Sequence, residues 1–230
     1  MQTNNTESSK FLPIAVVVAG LLIAGAVVWN GSRPAGTAGT GDAPTVDVKD
    51  INTEGDPFLG SADAPVTIAF WSDFQCPFCK QFELNTLPQI MSDYVDTGKV
   101  KIVFLDFAFL GNDSIDAAMY NRSVWNLYPE QYFAWRAAMY EAQDDEGDRG
   151  FGDAASIDEL NATVADIDAA KVAADVKENG AGYRAAADAD RAEGQRAGIN
   201  STPSFVIGTQ VIQGAYPYPN FQAAIEAALK

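Results

Sequence analysis

The chain has 230 residues, 47% of them hydrophobic, enough for one sizeable core with appendages. Thirty-one acidic residues against fifteen basic ones give a formal charge of −16, which argues against nucleic acid or an anionic membrane surface as a binding partner. With no histidine and only two cysteines, a tetrahedral zinc site could form only between chains, so no metal site is expected.

Residues 1–10 read as a short polar tail ending on Lys10. Phe11 to Trp29 is an uncharged run, about 28 Å long as a helix and enough to span a bilayer core. A cleavable signal peptide is the competing reading, but the run is longer than usual and no clear small-x-small site follows it. An uncleaved single-pass anchor is therefore expected over 11–29. Lys10 precedes it and the chain soon turns acidic after Arg33, which places the N-terminus inside and the remainder outside the cytoplasm. Residues 30–56, rich in Gly, Ala, Thr, Pro and Asp, read as a flexible tether with a reach of roughly 30 Å.

A folded domain is expected over 57–230. Val66 to Trp71 is a near-continuous apolar run, as a strand buried on both faces would be. The helix after it reaches about Val95 and carries Phe82, Leu84, Leu87, Ile90, Met91 and Tyr94, with a kink at Pro88. Val100 to Phe107 is a second strand, and together the three make a parallel βαβ unit. From Ala108 to Gly198 the pattern is helical. Asp113 or Ser114 caps a first segment, and Glu130 to Glu141 forms a second. The acidic stretch Asp144 to Asp153 reads as a solvated loop, with a calcium site as the alternative. Ser156 with Glu159 suggests a capping box, and Asp168 caps a helix ending at Asn179-Gly180. Ala181 to Ala197 makes the last helix of the group. Pro203 to Ile207 and Gln210 to Gln213 then flank a Gly208-Thr209 hairpin turn, and Pro219 opens a final helix with Phe221, Ala224, Ile225, Ala228 and Leu229 on one face.

Chemistry concentrates in Asp73-Phe-Gln-Cys76-Pro-Phe-Cys79-Lys80, which holds both thiols between a strand and a helix. Pro77 suits the first helical position, which puts Cys76 at the helix N-terminus. There the orphan N–H groups and helix dipole stabilise a thiolate by up to roughly 2 kcal/mol. Cys79, one turn later and less exposed, is the natural resolving thiol. A structural disulfide would close too short a loop to stabilise much. Thiol–disulfide exchange is therefore the expected activity, with the Cys76-Cys79 pair itself as the redox group and no cofactor.

Ser72-Asp-Phe-Gln-Cys-Pro-Phe-Cys79, then Gly198-Ile-Asn-Ser-Thr-Pro-Ser-Phe-Val-Ile-Gly208, and Gly214-Ala-Tyr-Pro-Tyr218 resemble the DsbA-like branch of the thioredoxin superfamily. The resemblance covers roughly Pro57 to Lys230. It implies an α/β thioredoxin-like fold with a helical insertion over about 108–198. It also implies a cis peptide before Pro203 that sets the Thr202 backbone opposite Cys76, and a groove there that pairs with extended or unfolded thiol-containing protein substrates. Pro77 and Phe78 complete the active-site motif. Two positions depart from many relatives: Phe78 stands where they carry histidine, and Phe70 where several carry an acid. Glu83 and Asp106 are weak candidates to carry a proton for Cys79, being more often surface or rim residues. The resemblance further implies donation of disulfides to exported proteins, with a membrane-embedded, quinone-linked oxidoreductase restoring the pair. The alternatives are a reductase or isomerase of the same compartment, or a tethered peptide-binding or chaperone module without turnover.

Overall fold

In the computed structural model the described residues are 46–144 and 150–230. The expected tail, the span at 11–29 and most of the tether lie outside them. Among the described residues no helix is long and apolar enough to cross a membrane.

The βαβ expectation holds. Strand β2 (Val66–Ser72) runs parallel to β3 (Val100–Asp106), with Val66 opposite Val100 and Ser72 opposite Asp106. Strand β1 (Phe58–Leu59) pairs antiparallel with β3, and the hairpin of β4 (Ser204–Ile207) and β5 (Gln210–Gln213) adds to the other side of β2. The order is β1-β3-β2-β4-β5, so the strand leading to the cysteines is central. Because side chains alternate along a strand, Ile68, Phe70, Ile102, Phe104, Phe205 and Ile207 share one core with Phe82, Ile90 and Phe221. Ala69, Trp71, Leu105 and Val206 face the other way, onto Phe107 and Ile199.

Helix α1 covers 77–95. Its α-helical pieces Pro77–Gln81 and Leu87–Ile90 alternate with π-helical turns at Phe82–Thr86 and Met91–Val95. The expected disturbance at Pro88 falls in this region, since the two π-helical turns flank the short α-helical piece that contains the proline. The insertion comprises α2 (Asn112–Leu127), α3 (Tyr132–Ala142), α4 (Ala154–Asn161) and α5 (Ala169–Arg196), and α6 (Tyr218–Ala228) closes the domain.

Four boundaries differ from expectation. Residues 46–56, assigned to the tether, pack on the sheet: Val48 and Ile51 are buried with Trp71 and Leu105, and the Val48 N–H donates to the Gly208 carbonyl at 2.8 Å. Helix α2 starts at Asn112, ahead of the expected caps, because Ser114 spends its hydroxyl on Asp73. Asp153 rather than Ser156 caps α4, its carboxylate accepting from the Ser156 N–H. Helix α5 does not stop at Gly180 but runs unbroken to Arg196. Gly180 is buried there, with Met119 of α2 close enough to meet an added Cβ at 3.3 Å, so this glycine serves close helix packing rather than termination.

Candidate active site

The apolar central strand β2 delivers the chain to its C-terminal end at Ser72, and a three-residue turn hands it to α1. Asp73 shapes that turn: its carboxylate accepts from the Gln75 N–H at 2.8 Å, and its carbonyl accepts from the Cys76 N–H at 3.1 Å. Cys76 then takes the N-cap position with extended backbone (φ −83°, ψ 118°), and Pro77 begins the helix. At this position a serine or aspartate oxygen would cap the helix, whereas Cys76 makes no side-chain cap bond. The Cys76 carbonyl receives the first helical bonds, from the N–H groups of Cys79 at 3.0 Å and Lys80 at 3.2 Å.

The two sulfurs differ in access. Cys76 keeps 5% of its surface open and Cys79 none, and both are free thiols. They also differ in acidity. The Cys76 thiol is lowered from its ordinary 9.0 to about 7, above all by a hydrogen bond from Cys79 and further by the Thr202 side chain and the N–H groups of Cys79 and Phe78, against the opposing push of burial. Cys79 is driven well above 9.0, first by its complete burial and then by its bond to Cys76. The helix N-terminus thus contributes as expected, but the neighbouring thiol contributes more.

The loop expected opposite Cys76 is there. The Thr202-Pro203 peptide is cis, and the Cys76 thiol donates to the Thr202 carbonyl at 3.4 Å. The buried Thr202 hydroxyl has no hydrogen-bond partner among the described residues, which leaves it able to turn to a thiolate. Beside this pair lies an open groove of about 270 Å³ lined by Phe78, Gln81, Thr202, Gln213, Gly214, Ala215 and Tyr216. Phe78 is 59% exposed and Tyr216 48%, so two aromatic faces await an apolar contact next to the thiol.

Beneath the thiols the sequence reading missed a buried polar layer. Glu83 and Asp106, expected at the surface or rim, are both buried and ion-paired. Glu83 accepts from Arg136 Nε at 2.7 Å, and the Arg136 guanidinium also reaches Ser72 Oγ at 3.0 Å and lies 4.3 Å from the Phe104 ring centre. Arg136 was detectable in principle, since it falls on the apolar stripe of α3 between Tyr132 and Tyr140, four residues from each. Asp106 joins Asp56 and Asp190 around Arg122. Asp73, 2% exposed, holds the insertion to the thiol loop: it accepts from the N–H groups of Phe109 at 2.9 Å and Leu110 at 3.3 Å and from Ser114 Oγ at 2.7 Å. Both cysteines pack within the insertion's core, among Phe74, Tyr120, Trp135, Met139 and Tyr140. In the expected acidic loop, Asp144 accepts from the Phe151 N–H at 2.8 Å, and 145–149 lie outside the described residues.

Comparison with known proteins agrees with this geometry. A family model described as thioredoxin matches residues 52–227. Disulfide bond formation protein D of Bacillus subtilis is 28% identical over 177 residues, 77% of this chain and 78% of that protein. Probable disulfide bond formation protein D of Bacillus anthracis is 25% identical over 175 residues, 75% and 77% of the two chains. Among solved structures, oxidised BdbD from Bacillus subtilis superposes with a TM-score of 0.70 at 26% identity, covering 77% of this chain and 95% of that one. The thiol-disulfide exchange protein alpha-DsbA2 from Wolbachia pipientis shares the fold, with a TM-score of 0.65 at 23% identity over 75% and 86% of the two chains. In this chain a strand–CxxC–helix unit faces a cis-proline loop, with four helices set between β3 and β4, and the matches fall on that whole unit: the chain belongs to the thioredoxin family, as a DsbA-like thiol–disulfide oxidoreductase.

Proposed function

We propose that this oxidoreductase is a donor of disulfides to proteins outside the cytoplasm, working through Cys76 and Cys79. The observation that carries the reading is the opposite displacement of the two thiols, Cys76 down to about 7 and Cys79 up. A dithiol whose outer member is already a stable thiolate near neutral pH favours the reduced form, so the corresponding disulfide tends to be passed on.

In the oxidised protein a substrate thiolate attacks Cys76 Sγ. The Cys76–Cys79 bond breaks, a substrate–Cys76 disulfide forms, and Cys79 leaves as a thiolate that takes up a proton in its buried site. A second substrate thiolate then attacks the substrate sulfur and expels Cys76 as the stabilised thiolate. The substrate ends as a disulfide, oxidised by two electrons, and the protein ends as the dithiol. Thr202 and Pro203 present main chain to an extended substrate, and Phe78 and Tyr216 offer it apolar contact without demanding one sequence. The cysteine pair is the whole redox group, with no separate cofactor or metal.

The apolar run over 11–29 supports a single-pass anchor with the N-terminus inside, and a tether from it holds the catalytic domain near the outer face. Thiol oxidation persists in that compartment. A membrane-embedded oxidoreductase of the quinone-linked kind is the partner placed to reoxidise the pair. The test is the dithiol–disulfide equilibrium of the protein in glutathione buffers, read by thiol trapping and mass. A pair that stays reduced until the buffer is strongly oxidising is the expected result. A pair that oxidises in reducing buffer would replace this reading with a reductase.

A further inference from the structure

Cys76 is also held from a side that its own motif does not name. Gln143 closes α3 and is 6% exposed. Its side-chain Nε2 donates to two main-chain carbonyls of the thiol loop, Phe74 at 2.5 Å and Cys76 at 3.2 Å. Both partners are acceptors only, so the chemistry fixes the amide with its NH₂ toward the loop. The tie is reciprocal. Lys80 of α1 donates through Nζ to the carbonyls of Gln143 at 2.8 Å and Glu141 at 3.4 Å, where a cation suits the unpaired carbonyls ending α3.

We propose that Gln143 is a positioning residue for the exchanging thiol: by fixing the Phe74 and Cys76 carbonyls it holds Cys76 in the extended cap conformation that aims its sulfur at the opening N–H groups of α1 and at Cys79. This rests on the reading of Cys76 as the exchanging thiol. An N-cap residue is normally secured by its own side chain bonding back to the first turn. Cys76 makes no such cap bond. Its sulfur is turned to Thr202, and its conformation is fixed from outside, by donors on the insertion. A side chain that only filled space here would need no amide, since burying an amide with unmatched donors is costly. This one spends its donors on the two carbonyls that bracket Gln75 and Cys76. The insertion thereby reaches the reactive sulfur through one residue of α3's end.

The test uses Gln143→Met, similar in length but without donors, and Gln143→Glu, which sets a carboxylate against the same two carbonyls. Three quantities are read: the Cys76 thiolate absorbance against pH, the glutathione equilibrium, and thermal unfolding. The midpoint for Cys76 in Gln143→Met is expected to rise from about 7 by roughly 0.5–1 unit, the equivalent of one net hydrogen bond. The glutathione equilibrium should move about 3- to 10-fold toward the disulfide, in step with the loss of thiolate stabilisation. Gln143→Glu should shift both at least as far at neutral pH. A folded Gln143→Met protein with the wild-type midpoint and equilibrium would reduce Gln143 to packing and overturn the proposal. So would failure of both variants to fold, which would make the residue structural. A wild-type midpoint near 9 would remove the reading of Cys76 on which this rests, whatever the variants did.

Discussion

The two halves of the interior are held together by different physics. On the α1 side of the sheet, Phe70 stacks on Phe205 at 4.5 Å between ring centres, Phe82 and Phe221 close over them, and the packed side chains are almost all apolar. Where the sheet and α1 meet the insertion, the interior instead holds Arg136 with Glu83 and Arg122 with three aspartates. An apolar core tolerates small losses, because each contact is weak and neighbours relax. A buried ion pair does not, because removing one partner strands the other charge.

Arg136→Met makes the largest test of that difference. It keeps most of the volume but leaves Glu83, 8% exposed, without its cation. A loss of about 3–5 kcal/mol is expected in denaturant unfolding, as for other broken buried pairs. Adding Glu83→Gln to Arg136→Met should recover a good part of it. In the apolar half, Ile68→Val, which removes one buried methylene, should cost only about 0.5–1.5 kcal/mol. If Arg136→Met cost no more than Ile68→Val, the distinction between the halves would collapse.

That same division decides what could be read in the sequence. Strands β2 and β3, the hairpin and the last helix follow from apolar runs, an apolar helix face and turn residues, and Cys76, Cys79, Thr202 and Pro203 follow from spacing and resemblance. The polar layer is harder to see. Periodicity reports burial only for apolar residues, so Arg122 and Gln143 carry no pattern that marks them as buried, and Arg136 is marked only by its place between Tyr132 and Tyr140, although their burial helps join the insertion to the thiol loop. Helix α5 was split at Gly180 for a related reason. A glycine used for close approach looks in sequence like a glycine used as a stop.

The glycines of α5 sharpen the comparison further. Gly194 lies where the helix crosses Trp71, whose indole Nε1 donates to the Asp190 carbonyl at 3.0 Å. An added Cβ would meet that Nε1 at 2.9 Å and its neighbouring ring carbon at 3.1 Å. The ring is held by its hydrogen bond and cannot easily retreat, so Gly194→Ala should destabilise by about 1–3 kcal/mol, the usual cost of overpacking. Gly182 lies on the same helix with nothing within 4 Å of its added Cβ. Gly182→Ala should therefore stabilise by up to about 1 kcal/mol, from helix propensity alone. Thermal unfolding of the two variants should move in opposite directions. Equal shifts would mean that approach to the sheet does not set the need for glycine in α5.

The smallest effect expected lies in the cluster around Arg122, and its sign depends on pH. Burial first, then the neighbouring Asp106 and Asp56, push the Asp190 carboxyl up to about 8, against the pull of Arg122 and the Asp106 N–H. Asp56 is raised as well, to about 6, with Glu193 adding to the negative field around it. In the unfolded chain an aspartate keeps its ordinary value of 3.8. Between there and about 8 the folded protein holds a proton that the unfolded chain has released. Stability from this source is therefore complete below about pH 4 and drains away as the pH rises toward 8. Asp190→Asn keeps the shape, removes the titration and leaves an acceptor for Arg122 and the Asp106 N–H. At pH 8 it should melt about 2–4 °C above the wild type, the equivalent of about 1 kcal/mol in a domain of this size. Near pH 4 the two should melt together. The difference between variant and wild type is the informative quantity, because the protein's overall charge of −16 destabilises both alike as the pH rises. Parallel melting curves across that range would mean that Asp190 does not hold the proton.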